Sequence, residues 1–428
     1  MKELLFSAAS IAVDENKAPL IADDKIVFGI LMGILALIFY TGSKKGWDKF
    51  YRIIPALFLC YFIPGILSSF NVISADYSNL YPIAKNYFLP AALILMTLSI
   101  DIPGILKLGP KALIMFFTAT IGIIIGGPIA MWIMSYVSPE TVGGEGFDAA
   151  WRGFATLAGS WIGGGANQTA MLEVYKYNQS LYTGMVAVDI FVANILMAFL
   201  LFGIGKKAKI DRWLKSDTTA IDSLVVRMKD FEKSVKKIPT TTDYMKIVGV
   251  AFVGVSLAHF LGDFLSNFFA GLTDKPDEAI FASKFFWVVL ISTFFGFALS
   301  FTKAKNLEGV GASKFGSMFI YILVAAIGMK MDIFTIAEKP FLIFVGIIWI
   351  VIHAGLLLGI AKLIKAPYFF LAVGSQANVG GAASAPVVAG AFHPALTTVG
   401  VLLAVLGYFV GTLGAIACAE LMRMVAGG

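Results

Sequence analysis

Charge is scarce in this 428-residue chain: Asp, Glu, Lys and Arg make up 14% of it, against about 25% in an average soluble domain. Cysteine and histidine are scarcer. Cys60 and Cys418 both fall inside apolar segments; they offer neither a disulfide framework nor metal-ligand spacing, and leave the redox compartment unspecified. His259, His353 and His393 stand far apart, and neither His-Glu-x-x-His nor Gly-x-Ser-x-Gly occurs. The usual zinc-hydrolase and serine-hydrolase patterns are therefore absent, and the chain does not read as an enzyme. The net charge of +6 collects in a few short loops, as orientation in a bilayer produces. Nucleic-acid binding is not indicated.

Apolar residues are plentiful. They form 58% of the chain, with 37 Phe and 43 Gly, and the mean hydropathy is +0.84. A run of about 18 or more apolar residues spans a bilayer core of about 30 Å. Ten such segments occur, near 26–41, 53–71, 84–100, 112–136, 181–205, 247–271, 285–301, 315–331, 341–363 and 396–421. They predict an all-α integral membrane protein with ten transmembrane helices, multi-pass in the plasma (inner) membrane and surrounded by membrane lipid. In residues 1–25, Asp14 and Glu15 follow the short apolar stretch Leu4–Val13. This predicts an extracytoplasmic N-terminal segment rather than a cleaved signal peptide.

Two weaker stretches, about 149–177 and 367–392, are interrupted by Gly, Asn, Gln and Ser. The first contains Gly-Ser-Trp-Ile-Gly-Gly-Gly-Ala-Asn-Gln-Thr-Ala from Gly159, and the second Gly-Ser-Gln-Ala-Asn-Val-Gly-Gly-Ala-Ala-Ser-Ala from Gly374. Aligned without gaps, four of twelve positions are identical, and the same offset pairs Thr183 with Thr398 and Val186 with Val401. Upstream, Asp101 and Asp332 occupy matching turns, followed by Pro110 and Pro340. The shared order predicts an internal repeat: repeat 1 over 26–205, repeat 2 over 247–422. Between them lies a basic linker, 206–246, with eleven Lys/Arg against six Asp/Glu.

Charge also sets orientation. If each Gly-rich stretch crossed the membrane, the basic loops 44–52 and 206–246 would fall on opposite sides, against the positive-inside rule. If each is a re-entrant hairpin, loops 44–52, 101–111, 206–246 and 302–314 are cytoplasmic. Glu140, Glu145, Asp148, Asp332 and Glu338 are then outside, as is the N-terminus. The two five-helix repeats become inverted.

Peptide groups cannot stay unpaired against lipid, so broken segments at membrane depth must face protein or a wet cavity. Freed N–H groups at a helix start suit a carboxylate, and freed carbonyls suit Na⁺. Paired discontinuous segments in two halves mark a transporter's binding site. The candidate solute-binding residues are Ser160, Gly163, Gly164, Gly165, Asn167, Ser375, Gln376, Asn378, Gly380, Gly381, Ser384 and His353. Asp189, a lone acid in an apolar helix, is the candidate cation ligand. Gln168, Thr169 and Asn194 are the other candidate Na⁺ ligands. Na⁺ would be a coupling ion; no cofactor is called for. The competing bland readings are close packing of small residues, a hydrated Asp189, a neutral His353 held within the bundle, and turn roles for Asp101 and Asp332. His259 and Asp263, four apart, share a face and predict an interfacial pair. His393, before Pro394, reads as structural.

The paired Gly-rich segments and their helix order resemble the YjcL-like family of uncharacterised bacterial membrane proteins over essentially the whole chain. More distantly, five-plus-five helices with two hairpins resemble the 2-hydroxycarboxylate transporters and the sodium/glutamate symporters. That resemblance implies an elevator mechanism, Na⁺ coupling, an anionic organic substrate and a homodimer. Neither tip carries a basic residue to clamp a carboxylate, as some of those relatives have.

The sequence therefore reads as a Na⁺-coupled symporter for a small polar or anionic metabolite such as an amino acid, carboxylate or short peptide. The alternative is an ion or solute channel, which would require a continuous polar pore. A membrane-embedded enzyme is the remaining alternative.

Overall fold

The computed structural model describes residues 18–54, 56–216, 221, 224–225, 238–272, 279–331 and 341–427. Every regular element among them is helical. The principal helices are α1 Asp24–Gly42, α2 Ala56–Ser69, α3 Leu89–Leu98, α4 Pro110–Val137, α5 Ala150–Val174, α6 Tyr182–Ile204 and α7 Lys207–Leu214. They continue with α8 Thr241–Ala270, α9 Lys284–Leu299, α10 Ala312–Gly328, α11 Leu342–Leu363, α12 Tyr368–Val379, α13 Gly381–Phe392 and α14 Thr397–Val425. Each of the ten apolar segments contains a helix among its described residues. Six of these helices (α1, α4, α6, α8, α11 and α14) are each long and apolar enough to cross a membrane, while α2 and α10 are shorter apolar helices.

Starts are marked as the local sequence dictates. Asp23 accepts from the backbone N–H of Lys25 at 2.8 Å ahead of α1. Thr240 and Asp243 form a reciprocal capping box ahead of α8, satisfying N–H groups that have no intrahelical partner. A π-helical turn, Ala84–Phe88, leads into α3. Outward faces stay apolar: Phe260, Phe264 and Phe268 on α8 are 72, 67 and 57% exposed. An apolar stripe of this kind is unusual on a soluble monomer and natural against lipid.

α5 is not one rod. Gly164 has φ +73° and ψ −171°, and the chain doubles back there. Arg152 Nη1 donates to the carbonyl of Tyr175 at 2.6 Å across a sequence separation of 23, a span of about 34 Å in a straight helix. α12 and α13 form a second hairpin, turned at Gly381 with φ +54°, and the rings of Tyr368 and Phe392 lie 5.8 Å apart at its base. The hairpins enter from opposite ends of the bundle. The open end of the first lies beside Asp148 and Asn178, which are bonded at 2.8 Å. The base of the second lies where Lys111 Nζ donates to Lys365 O at 3.0 Å and Tyr368 N donates to Asp211 Oδ1 at 2.8 Å. The tips meet inside: a Cβ placed on Gly381 would lie 3.6 Å from the Gly164 Cα.

Packing divides the helices into two groups. α1, α2, α3, α8, α9 and α10 pack on one another; α4, α6, α11, α14 and both hairpins form the other group. The groups meet where α5 and α14 press on α3 and α9.

Candidate functional site

Asp189 in α6 is 6% exposed, so the hydrated interfacial reading does not hold. Its carboxylate accepts from Ser160 Oγ at 2.8 Å, Trp161 Nε1 at 2.7 Å and Gln168 Nε2 at 3.1 Å. All three donors come from the first hairpin, on both sides of its tip. A buried carboxylate is tolerable only with such partners. Gln168 Oε1 has no hydrogen-bond partner. The group therefore joins a carboxylate and a hydroxyl oxygen, with the Gln168 amide beside them, hard-oxygen chemistry suited to an alkali or alkaline-earth cation rather than to a transition metal. Among the described residues no three His, Cys, Asp or Glu side chains converge on one point.

Between the tips and the other helix group lies a cavity of 510 Å³. Ser160, Gly164, Gly165, Asp189, Asn194, Gln376, Gly380, Gly381 and Ser384 from the sequence-derived set line it. Tyr51, Ser317, Tyr321 and Tyr408 join them, and no feature of the sequence singled these out. Among the described residues Asp189 is the single charged side chain in the lining. Gln376 is 1% exposed; its Nε2 donates to Ser384 Oγ at 2.7 Å, and its Oε1 has no partner. Gly380 makes this bond sterically feasible, because a Cβ there would sit 1.6 Å from Ser384 Oγ.

Gly163, Asn167, Thr169, Ser375, Asn378 and His353 stand away from the cavity. Gly163 lets the hairpin press on α14: a Cβ placed on Gly411 would lie 2.4 Å from the Gly163 Cα. Asn167 is buried, donating to the Tyr408 carbonyl at 3.0 Å and accepting from Thr412 at 2.6 Å. Asn378 donates to the Phe116 carbonyl at 3.2 Å and accepts from Thr120 at 2.8 Å. His353 is fully buried. Its Nδ1 lies 3.1 Å from the Ala119 carbonyl and its Nε2 2.9 Å from Ser375 Oγ. Since a carbonyl only accepts, Nδ1 carries the proton and Nε2 accepts from Ser375. His353 thus holds the second hairpin against α4 and does not reach the solute cavity.

Two of the candidate cation ligands make local bonds. Thr169 hydroxyl donates to the Gly165 and Ala166 carbonyls at 3.0 and 2.9 Å, the local back-bonding common for Thr in helices. Asn194 donates to the Ile190 carbonyl at 2.8 Å. It still lines the same cavity as Asp189. The expected His259–Asp263 pair is also not formed: His259 Nε2 bonds the Asn86 carbonyl at 2.8 Å, and Asp263 pairs with Lys284 at 2.7 Å. Asp101 lies 4.0 Å from Lys305. Asp332, Glu338 and Pro340 fall outside the described residues.

A further charged group lies at the first end. Lys85 and Glu173 pair at 2.6 Å, with the Glu173 side chain 3% exposed. Tyr81 donates to Glu173, and Gln179 donates to Tyr81. This ion pair joins the π-helical turn before α3 to the return arm of the first hairpin, beside a second cavity of 950 Å³. Sequence reading passed over it because each charge sits at the edge of an apolar segment.

Comparison with known proteins fits this helical membrane architecture. The uncharacterized membrane protein YjcL of Bacillus subtilis (strain 168) is 22% identical over 349 residues, covering 78% of this chain and 81% of that protein. With six helices able to span a bilayer, the chain is a multi-pass membrane protein. Residues 29–425 match the family described as "Protein of unknown function (DUF819)", and the chain belongs to that family.

Proposed function

We propose that this protein is a secondary active transporter, a Na⁺-coupled symporter that moves a small polar solute by an elevator mechanism. The observation that carries the reading is the meeting of two opposed hairpin tips at a cavity of 510 Å³ whose described lining residues include a single carboxylate. Backbone broken at membrane depth is tolerated where it lines such a cavity, and paired breaks in two halves are the usual transporter arrangement.

In this reading the ten helices cross the inner membrane and the hairpins are re-entrant, one from each side. Repeats 26–205 and 247–422 are inverted. Lys45, Lys111, Lys206 and Lys365 lie in or beside the loops at the end where the second hairpin opens, which makes that end cytoplasmic by the positive-inside rule. The cavity reaches toward it through Tyr51, Ser317 and Met197, so the fold described is the inward-facing member of an alternating pair. The helix group bearing both hairpins is the moving unit; the group of α1, α2, α3, α8, α9 and α10 is the scaffold and supplies the homodimer contact. Na⁺ binds at Asp189 with Ser160 Oγ, and the Gln168 amide, whose Nε2 faces the carboxylate in the fold described, turns to present Oε1. A cation there neutralises a buried carboxylate and fixes the first tip, which couples ion binding to formation of the solute site.

The test is a thermal-shift screen of purified protein against metabolites in Na⁺ and in K⁺, followed by uptake into proteoliposomes. Stabilisation by a solute in Na⁺ only, with saturable Na⁺-driven uptake, is expected. A channel predicts non-saturating flux down either gradient; that result, or indifference to Na⁺ across the panel, would overturn symport.

A further inference from the structure

We propose that the solute held between the hairpin tips is a zwitterion of the α-amino-acid type. Its ammonium group donates to Gln376 Oε1, and its carboxylate accepts from the first-turn N–H groups of α13. This deepens the transport reading and rests on it.

The cavity itself supplies the argument. Gln376 Oε1 is a buried acceptor without a donor, on a side chain whose Nε2 is already committed to Ser384. An unmatched buried acceptor asks for a donor from the ligand. Beside it, Gly381 and Ala382 line the cavity at the start of the twelve-residue helix α13. First-turn N–H groups of a helix have no intrahelical acceptor and carry partial positive charge. One ligand that both donates and accepts would satisfy the two.

Charge narrows the class further. Among the described residues Asp189 is the single charged side chain in the lining, and the coupling Na⁺ cancels it. A dicarboxylate would bring two negative charges to a cavity without Lys, Arg or His among the described residues that line it, and transfer of an uncompensated ion from water is strongly unfavourable. A hydroxy acid leaves one such charge and offers Oε1 only a neutral hydroxyl. A simple amine satisfies Oε1 and leaves the α13 amides unused. A zwitterion has no net charge, donates from one end and accepts at the other. The volume of 510 Å³ lies within the roughly 300–1,000 Å³ of small-molecule pockets.

The experiment uses full-length protein purified in detergent with Na⁺, and three probe series: the twenty proteinogenic L-amino acids, the 2-hydroxy acids carrying the same side chains, and the corresponding decarboxylated amines. Dicarboxylates form a fourth arm. The melting temperature finds binders and calorimetric titration ranks them. At least one amino acid is expected to bind, with its hydroxy-acid and amine counterparts weaker by about tenfold or more, the worth of one charge-assisted hydrogen bond. A hydroxy acid or dicarboxylate that binds as tightly, or silence from all twenty amino acids, overturns the proposal.

Two variants fix the role of Gln376. Gln376→Glu keeps an accepting oxygen and should hold or tighten amino-acid affinity. Gln376→Leu removes it and should weaken affinity about tenfold or more. Retention of the Na⁺-dependent thermal shift by both variants shows that the fold survives. Loss of amino-acid binding in Gln376→Glu with that shift retained would mean the side chain donates rather than accepts, and would sink the assignment. Amino-acid binding without any Na⁺ effect in the unaltered protein would instead remove the coupling and leave the solute class standing.

Discussion

Thr120 on α4 donates its hydroxyl to the Oδ1 of Asn378 in the second hairpin at 2.8 Å, and the contact has a twin. Thr412 on α14 donates to Asn167 in the first hairpin at 2.6 Å. In each case the Asn Nδ2 also donates to the carbonyl four residues before the Thr, Phe116 in one and Tyr408 in the other. Each Gly-weakened hairpin is thus clasped to a helix of the opposite half. An unpaired buried amide is costly, so Thr120→Val and Thr412→Val should each destabilise by about 1–2 kcal/mol, the upper part of the range for polar contacts between membrane helices. Denaturant or thermal unfolding in detergent reads this. Combining Thr120→Val with Asn378→Leu should cost less than the sum of the two singles, because the first change already breaks the pair. Strict additivity would show that the clasp carries no coupling.

Asp189→Asn removes the charge while keeping the shape. With three donors aimed at two carboxylate oxygens, the amide's own N–H₂ will face at least one of them, so a stability loss of about 1–3 kcal/mol is expected. The functional prediction is sharper: the difference in melting temperature between Na⁺ and K⁺ should vanish. A full Na⁺ shift in Asp189→Asn would move the cation site elsewhere.

The Lys85–Glu173 pair bridges the seam between the two helix groups at the end opposite the solute cavity. If that end opens during transport, the pair must break. Lys85→Met and Glu173→Gln should each favour the opened state, by up to about tenfold, since one partner of a buried pair is left uncompensated while Lys85 stays partly hydrated. The measurement is maleimide labelling of a cysteine introduced by Ala75→Cys, a buried position lining the first-end cavity. Native Cys60 and Cys418 are fully buried and add little background. Labelling should quicken in the single variants and slow again when Lys85→Glu is combined with Glu173→Lys. Equal labelling in all of them would reduce the pair to a packing feature.

The hairpins were legible because Gly-Gly-Gly and Gly-Gly cannot hold a helix interior against lipid, and Asp189 because a lone acid in an apolar helix must have a purpose. The partners were not. Trp161 reads as an apolar filler until its Nε1 is seen on Asp189. Thr120 and Thr412 are single hydroxyls in apolar helices, where back-bonding to the preceding turn is the ordinary expectation. His259 and Asp263 do share a helix face, yet each found a nearer partner on another segment. Periodicity tells which residues can face one another along a helix; the neighbour across the gap depends on packing that one sequence does not spell out.

The tip glycines separate backbone geometry from small size. Gly164, at φ +73° and ψ −171°, lies in a region only glycine occupies freely, where any other residue costs of order 1–3 kcal/mol. Gly381, at φ +54°, also lies at positive φ, where an L side chain costs about 1–2 kcal/mol. Neither is crowded: the nearest atom to an added Cβ is 3.9 Å away at Gly164 and 3.6 Å away at Gly381. Gly165 has comparable space, 3.8 Å to Leu57, and no positive φ. Replacement by Ala should therefore lower the melting temperature most at Gly164, less at Gly381 and hardly at all at Gly165. Uptake should fall in the same order, because a strained tip no longer closes against its partner. Equal losses at Gly164 and Gly165 would show that the tips need only smallness, and the strained turn would lose its place in the mechanism.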